Sequence, residues 1–245
     1  MPYNPCNDSA RMPMPDPLIQ SLPQTTAPRW TQTLWTRCRS HLLFKTIALT
    51  LFLTLFFVAY FQLLRHPVHA VTTMPLTWLD QAISFQPWTL MFYASLWVYV
   101  AIPLHLTQTR QHFIALGSAY FFLCLSGLIC FYLWPTAIPR PDIPWNDYPG
   151  FGFLQSVDSA GNACPSLHVA TAVFAGIWLE RFLRALAVPR WLRLGNLLWC
   201  AAIVYSTIAT RQHVVLDAAA GSLLGMLFGC LSAPLGRRLL PGARD

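Results

Sequence analysis

Residues 41–64 read HLLFKTIALTLFLTLFFVAYFQLL, an apolar run in which Lys45 is the one fixed charge. It exceeds the roughly 20 residues that carry a helix across a hydrocarbon core about 30 Å thick. The run is longer than the h-region of a secretory signal and no small-residue cleavage site follows, so it reads as a retained membrane anchor. Five more apolar stretches come after it, at about 88–106, 112–134, 167–184, 191–210 and 213–234. The 245 residues are 55% hydrophobic and 10% charged, which excludes an ordinary soluble domain. The expected fold is all-α, a polytopic membrane bundle of six transmembrane helices.

The formal charge of +7 invites a nucleic-acid reading, but the placement of the basic residues fits membrane topology instead. Arg11, Arg29, Arg37, Arg39 and Lys45 precede or enter the first span, and Arg110 lies between the second and third. Arg181, Arg184, Arg190 and Arg193 surround the loop after the fourth, and Arg237, Arg238 and Arg244 form the tail. The positive-inside rule puts all of these, and hence both termini, in the cytoplasm. Arg65, Arg140 and Arg211 are left on the opposite side against this bias. Cations retained there are candidates for meeting phosphate.

Seven cysteines give no disulfide framework, because Cys124, Cys130, Cys200 and Cys230 fall inside expected spans and Cys6 and Cys38 in the cytoplasmic tail. Cys164 alone faces the outer side. Small residues commonly precede a helix start, and nothing nearby would lower its pKa, so it is not read as a nucleophile. Residues 1–40, rich in proline and polar residues, are expected to form a disordered cytoplasmic tail. Between the first two spans, Leu76, Trp78, Leu79, Ile83 and Phe85 fall on one side of a short helical pattern opposite Asp80 and Gln81. This reads either as an interfacial helix on the outer leaflet or as a loop with aromatic anchors. The long connection 135–166 holds Pro135, Pro139, Pro141 and Pro144 and the aromatics Trp145, Tyr148, Phe151 and Phe153, a composition suited to a site wall or lid.

Two phrases carry the chemistry: Pro165-Ser166-Leu167-His168, and Arg211-Gln212-His213-Val214-Val215-Leu216-Asp217. Ser166 is a good cap for the fourth span, leaving first-turn N–H groups and the positive helix end facing outward, where a phosphate oxygen fits. His168 lies in that first turn; alone, it is equally a histidine at a membrane interface. His213 and Asp217, at i and i+4, are expected on one helix face and in contact. A carboxylate on one imidazole nitrogen fixes the tautomer and leaves the other nitrogen to attack. The competing reading is a buried polar pair that joins two helices, since an intramembrane aspartate demands a partner. An imidazole can attack phosphorus while a second protonates the leaving oxygen. Fixed cations neutralise the equatorial oxygens. Arg140 suits that role, and Arg211 does so only if the helix begins after it.

These residues resemble the type 2 phosphatidic acid phosphatase superfamily of lipid phosphatases and phosphotransferases over roughly residues 90–235. Its Pro-Ser-Gly-His motif looks like Pro165-Ser166-Leu167-His168, its Ser-Arg-x5-His-x3-Asp motif looks like Ser206-Thr207-x5-His213-x3-Asp217, and the Arg-Pro ending of its first motif looks like Arg140-Pro141. The resemblance implies that His213 becomes a phosphohistidine, Asp217 orients it and His168 protonates the leaving group, with no metal and no cofactor. Arg140, Ser166, Leu167 and Arg211 are then the substrate-binding residues. The chain departs from the pattern at Leu133, where the family usually has Lys, at Thr207, where it has Arg, and at Leu167. These departures resemble the branch of inositol phosphorylceramide synthase and sphingomyelin synthase.

The resulting division is a tail to residue 40, a six-helix catalytic domain over 41–236 and a short tail over 237–245. The first functional expectation is a phosphatase acting on a lipid phosphate or polyprenyl diphosphate among membrane lipids. Its site would face the periplasm of a bacterial inner membrane, or the lumenal or extracellular side. A lipid phosphotransferase passing the group to an alcohol uses the same intermediate. A non-enzymatic scaffold or transporter is the alternative of another class; the intact His168, His213 and Asp217 count against it.

Overall fold

The computed structural model describes residues 29–139, 141–148, 150–151 and 162–239. Helix α1 spans Arg29–Arg39, so the end of the segment expected to be disordered is helical. Leu34 and Cys38, one turn apart, pack against the main core, and the Thr, Gln and Arg residues around them mask this stripe in any average of hydropathy. Helix α2 follows at Leu42–Arg65. Its single charge has a structural cause: Lys45 is fully buried, and Nζ donates to the carbonyl oxygens of Arg37 (2.8 Å), His105 (2.7 Å) and Thr107 (2.7 Å). One ammonium thereby satisfies carbonyls at the ends of two helices and the following turn, where a cation is favoured.

The stretch expected as one span over 88–106 is bent. A 3-10 turn at Pro87–Thr89 leads into α4, Leu90–Tyr99, and after a break comes α5, Ile102–His105. Pro103 has no N–H to donate and its ring crowds the preceding turn; the Tyr120 hydroxyl donates to the Val100 carbonyl at the bend (3.0 Å). Helix α6 runs over Arg110–Leu133, capped by Thr109, whose side chain accepts from the His112 N–H. Helices α7, Leu167–Ala185, α8, Arg190–Ala209, α9, Val215–Leu231, and α10, Ala233–Leu239, complete the bundle. The all-helical expectation needs one amendment: β1, Thr72–Thr73, pairs in parallel with β2, Thr136–Ala137, tying the loop after α2 to the loop after α6.

Among the described residues, four helical stretches are long and apolar enough to cross a membrane: Leu42–Arg65, Pro87–His105, Arg110–Leu133 and Arg190–Ala209. The six spans expected from sequence are reduced to these four on that measure. The other two expected spans are α7 and α9. Helix α9 is short, and α7 carries Glu180, Arg181 and Arg184 and is the central element, with Val169, Ala170, Ala172, Phe174, Ala175 and Trp178 wholly inaccessible. Around it, Leu43, Leu55 and Val58 on α2, Leu198 on α8 and Leu223 on α9 lie exposed, the apolar exterior suited to helices in hydrocarbon.

Helices α7 and α9 touch backbone to backbone. A Cβ on Gly221 would strike the Ser166 carbonyl, and one on Gly225 the Ala170 carbonyl. Small residues one turn apart allow this approach. It brings the N-terminal turns of the two helices, and the residues that precede them, side by side. Between the first two spans, α3, Trp78–Ala82, starts at a capping box formed by Thr77 and Asp80. The helical alternative for that segment is the one observed, with Trp78 exposed and Asp80 turned into the protein.

Candidate active site

Ser166 caps α7, its Oγ accepting from the Val169 N–H (3.2 Å), and its own N–H donates to the Asp217 carbonyl (3.0 Å). The cap therefore also binds the start of α9. His168 sits in the first turn of α7. His213 precedes α9, which begins at Val215, so the expectation that His213 and Asp217 share a helix face is corrected. The chain reaches the pairing by a turn: the His213 Nδ1 lies 3.0 Å from the Asp217 Oδ2. Asp217 is completely buried and His213 is 8% exposed. The Asp217 Oδ1 has no hydrogen-bond partner among the described residues.

The His213 Nε2 faces the His168 Nδ1 at 3.3 Å, and the His168 Nε2 faces the Tyr93 hydroxyl at 3.0 Å. A carboxylate only accepts, so the His213 Nδ1 carries a proton and its Nε2 keeps a lone pair; the proton between the imidazoles then belongs to the His168 Nδ1. One polarised line, Asp217–His213–His168–Tyr93, results. It leaves the His213 Nε2 as the nucleophilic atom and the His168 Nδ1 as the nearest acid.

The other candidates are placed differently. Leu167, where the resembled motif has glycine, packs against Gly127 of α6 and belongs to the core. The Thr207 hydroxyl donates to the Val204 carbonyl of its own helix (2.8 Å). Arg211 is tied elsewhere: Nη1 donates to the Asp80 carbonyl (2.8 Å) and Nη2 to the Ile83 carbonyl (2.7 Å). Arg140 lies outside the described residues. Burial, aided by the Asp217 charge, pushes the Cys164 thiol up to about 11, which holds it in the unreactive thiol form near neutrality. Among the described residues, no group of three or more His, Cys, Asp or Glu gathers as a metal cage.

Beneath the histidines a cavity of about 160 Å³ is lined mainly by apolar side chains, among them Phe52, Phe56, Leu96 and Trp97, and reaches His168 and His213. Asn162 and Gln212 line it too, each with a buried side-chain oxygen that has no hydrogen-bond partner among the described residues. The Asn162 amide is oriented by its nitrogen, which donates to the Tyr60 carbonyl (3.0 Å). A chain in the cavity and a polar head at the histidines is the arrangement this shape accepts.

Sequence reasoning missed Tyr93 as a partner of His168 and Asp80 as a support of α9. Asp80 had a readable signal in Thr77-x-x-Asp80, a capping-box pattern, but that marks only the start of α3. Its second oxygen, Oδ1, accepts from the Val215 N–H (2.8 Å). Tyr93, an aromatic in an apolar run, carries no local signal at all.

The family model of the PAP2 superfamily matches residues 108–239, which include both histidine phrases. No curated protein and no solved structure matches the chain.

Proposed function

Because the chain belongs to the PAP2 superfamily, whose members are phosphatases and phosphotransferases, we propose that it removes phosphate from a lipid phosphate or polyprenyl diphosphate. The observation that carries this reading is the line Asp217–His213–His168 at the end of an apolar cavity. The His213 Nε2 attacks phosphorus, the bond to the leaving oxygen breaks, and that oxygen takes the proton of the His168 Nδ1. Water then attacks the phosphohistidine and returns a proton to His168. Phosphate leaves, and the electron pair of the P–N bond goes back to the His213 Nε2. The N-terminal turn of α7, capped by Ser166, and Arg140 supply the charge that the phosphoryl oxygens require. No metal takes part in this scheme.

A second reading is favoured by one observation, the buried amide oxygens of Asn162 and Gln212 beside the histidines. They suit the hydroxyl of an alcohol acceptor, which would make the protein a phosphotransferase. The site is assigned to the outer face of the membrane, periplasmic in a bacterial inner membrane, because the basic residues gather at the other end of the bundle.

Incubating purified protein with labelled lipid phosphates, with and without alcohols, separates the two: hydrolysis releases inorganic phosphate and transfer yields a phosphodiester. His213→Ala is expected to abolish turnover by either route. His168→Ala should lower it by about 100-fold or more, the scale of general-acid catalysis, while still permitting a phosphoenzyme with a good leaving group. Near wild-type activity in the His213 variant would exclude the mechanism.

A further inference from the structure

We propose that Tyr93 is the positioning residue for His168, the group that keeps the acid in place when substrate parts the two imidazoles. The inference rests on the phosphohistidine reading and extends it to a helix, α4, outside the residues matched by the family model.

In the structure His168 is held from both sides, by His213 at 3.3 Å and by Tyr93 at 3.0 Å. In-line displacement puts phosphorus and the leaving oxygen between nucleophile and acid. The contact between the imidazoles is therefore a feature of the resting site, and it opens as the phosphoryl group enters. Among the described residues, the hydrogen bond that remains on the His168 ring is the one to Tyr93.

A phenol is suited to this because it is both donor and acceptor. The anionic phosphoryl group favours the doubly protonated ring and brings a second proton with it on binding; in the first step this imidazolium of His168 gives its Nδ1 proton to the leaving oxygen while its Nε2–H stays donated to the Tyr93 Oη. In the second step water attacks the phosphohistidine, its proton goes to the His168 Nδ1 and the same Nε2–H contact persists. Tyr93 gains and loses no proton, and the charge on His168 is restored at each turnover. An unpaired Nε2 in this buried position would instead face the full cost of desolvation.

Packing sets the ring as well. Tyr93 is 5% exposed, its ring lies 5.1 Å from that of His168 at 33°, and Trp97, one turn along α4, meets the same imidazole edge-on at 6.0 Å. Tyr93→Phe retains this wall and removes only the hydroxyl. The variant therefore removes the hydrogen bond to His168 while keeping the packing.

The test compares kcat/KM on a long-chain alkyl phosphate, whose poor leaving group needs protonation, with 4-nitrophenyl phosphate, whose good leaving group does not. Tyr93→Phe should lose about tenfold more activity on the alkyl ester than on the nitrophenyl ester, a part of the ~100-fold or more attributed to a general acid. Tyr93→Gln, which restores a donor and an acceptor, should bring the two losses closer together. Added to His168→Ala, Tyr93→Phe should cost less than about twofold further, since it acts only through that imidazole. Equal losses on both esters, or full additivity with His168→Ala, would overturn the assignment and leave the phosphohistidine reading intact. A wild-type protein that releases phosphate from neither ester, or that is indifferent to His213→Ala, defeats that reading and takes this inference with it.

Discussion

Arg211 has a backbone φ of 58°, a left-handed conformation that costs a residue with a Cβ roughly 1–2 kcal/mol. It occupies the position after α8 where glycine is usual. The Arg211 N–H donates to Ile208 O (3.0 Å) and the Gln212 N–H to Thr207 O (3.1 Å), the pair of bonds that closes a helix in a Schellman motif. The guanidinium fork offsets the backbone cost by donating to the Asp80 and Ile83 carbonyls. Two effects thus oppose each other at one residue, and substitution separates them. Arg211→Ala keeps the strained backbone and loses both bonds, so it should destabilise the protein by about 1–3 kcal/mol. Arg211→Gly loses the same bonds but relaxes the backbone, and should be the more stable of the two by about 1 kcal/mol. Denaturation in detergent measures the difference, and activity should fall by about tenfold or less in either variant. A loss above about 100-fold with unchanged stability would instead place the guanidinium on the phosphoryl group.

The same contacts, taken as a unit, make α3 the outer support of the reactive helix. Val214, at the N-cap of α9, provides no side-chain hydrogen bond of its own, so the carboxylate of Asp80 caps that helix from 135 residues away in sequence. Its other oxygen closes the capping box with the Thr77 N–H (2.7 Å) and hydroxyl (2.6 Å). Asp80→Ala leaves these buried donors unmatched and should cost about 1–3 kcal/mol; because His213 lies two residues before Val215, activity should fall more than stability alone explains. Proportionate losses, with the remaining folded protein fully active, would reduce Asp80 to a structural cap. This contact also marks the limit of what the sequence discloses. Helices α2 and α6 are legible as unbroken apolar runs, and Ser166, His168, His213 and Asp217 are legible because their relations are local. The bend between α4 and α5 had a visible cause in Pro103, but its effect depends on the packing of Tyr120. Asp80 and Tyr93 reach the site across 135 and 75 residues, distances at which spacing says nothing and only the folded bundle decides.

Across the whole molecule, chemistry and charge separate along α7. His168 is in its first turn, and Arg181 and Arg184 lie toward its other end, about 20–24 Å away along the helix axis. Arg37 of α1 lies over the ring of Phe182 (5.9 Å), and Lys45 joins α1 to the end of α5, so these cations share the end opposite the histidines. Arg193 meets Glu180 of α7 there as well. The proposed orientation puts this basic end in the cytoplasm, as the positive-inside rule directs. In that orientation the outer leaflet supplies the proposed substrate, since the cavity reaches His168 and His213. Single cysteines test the orientation in a protein whose accessible native cysteines have been replaced. Cys164 can remain, because its raised pKa keeps it a thiol at the pH of labelling. Asp147→Cys, exposed on the long loop beside the site, should react with an impermeant maleimide added to intact cells, and Arg190→Cys, exposed at the start of α8, should react only after the membrane is opened. The reverse pattern would turn the histidines toward the cytoplasm, and the basic cluster would then have to be explained by binding to something outside.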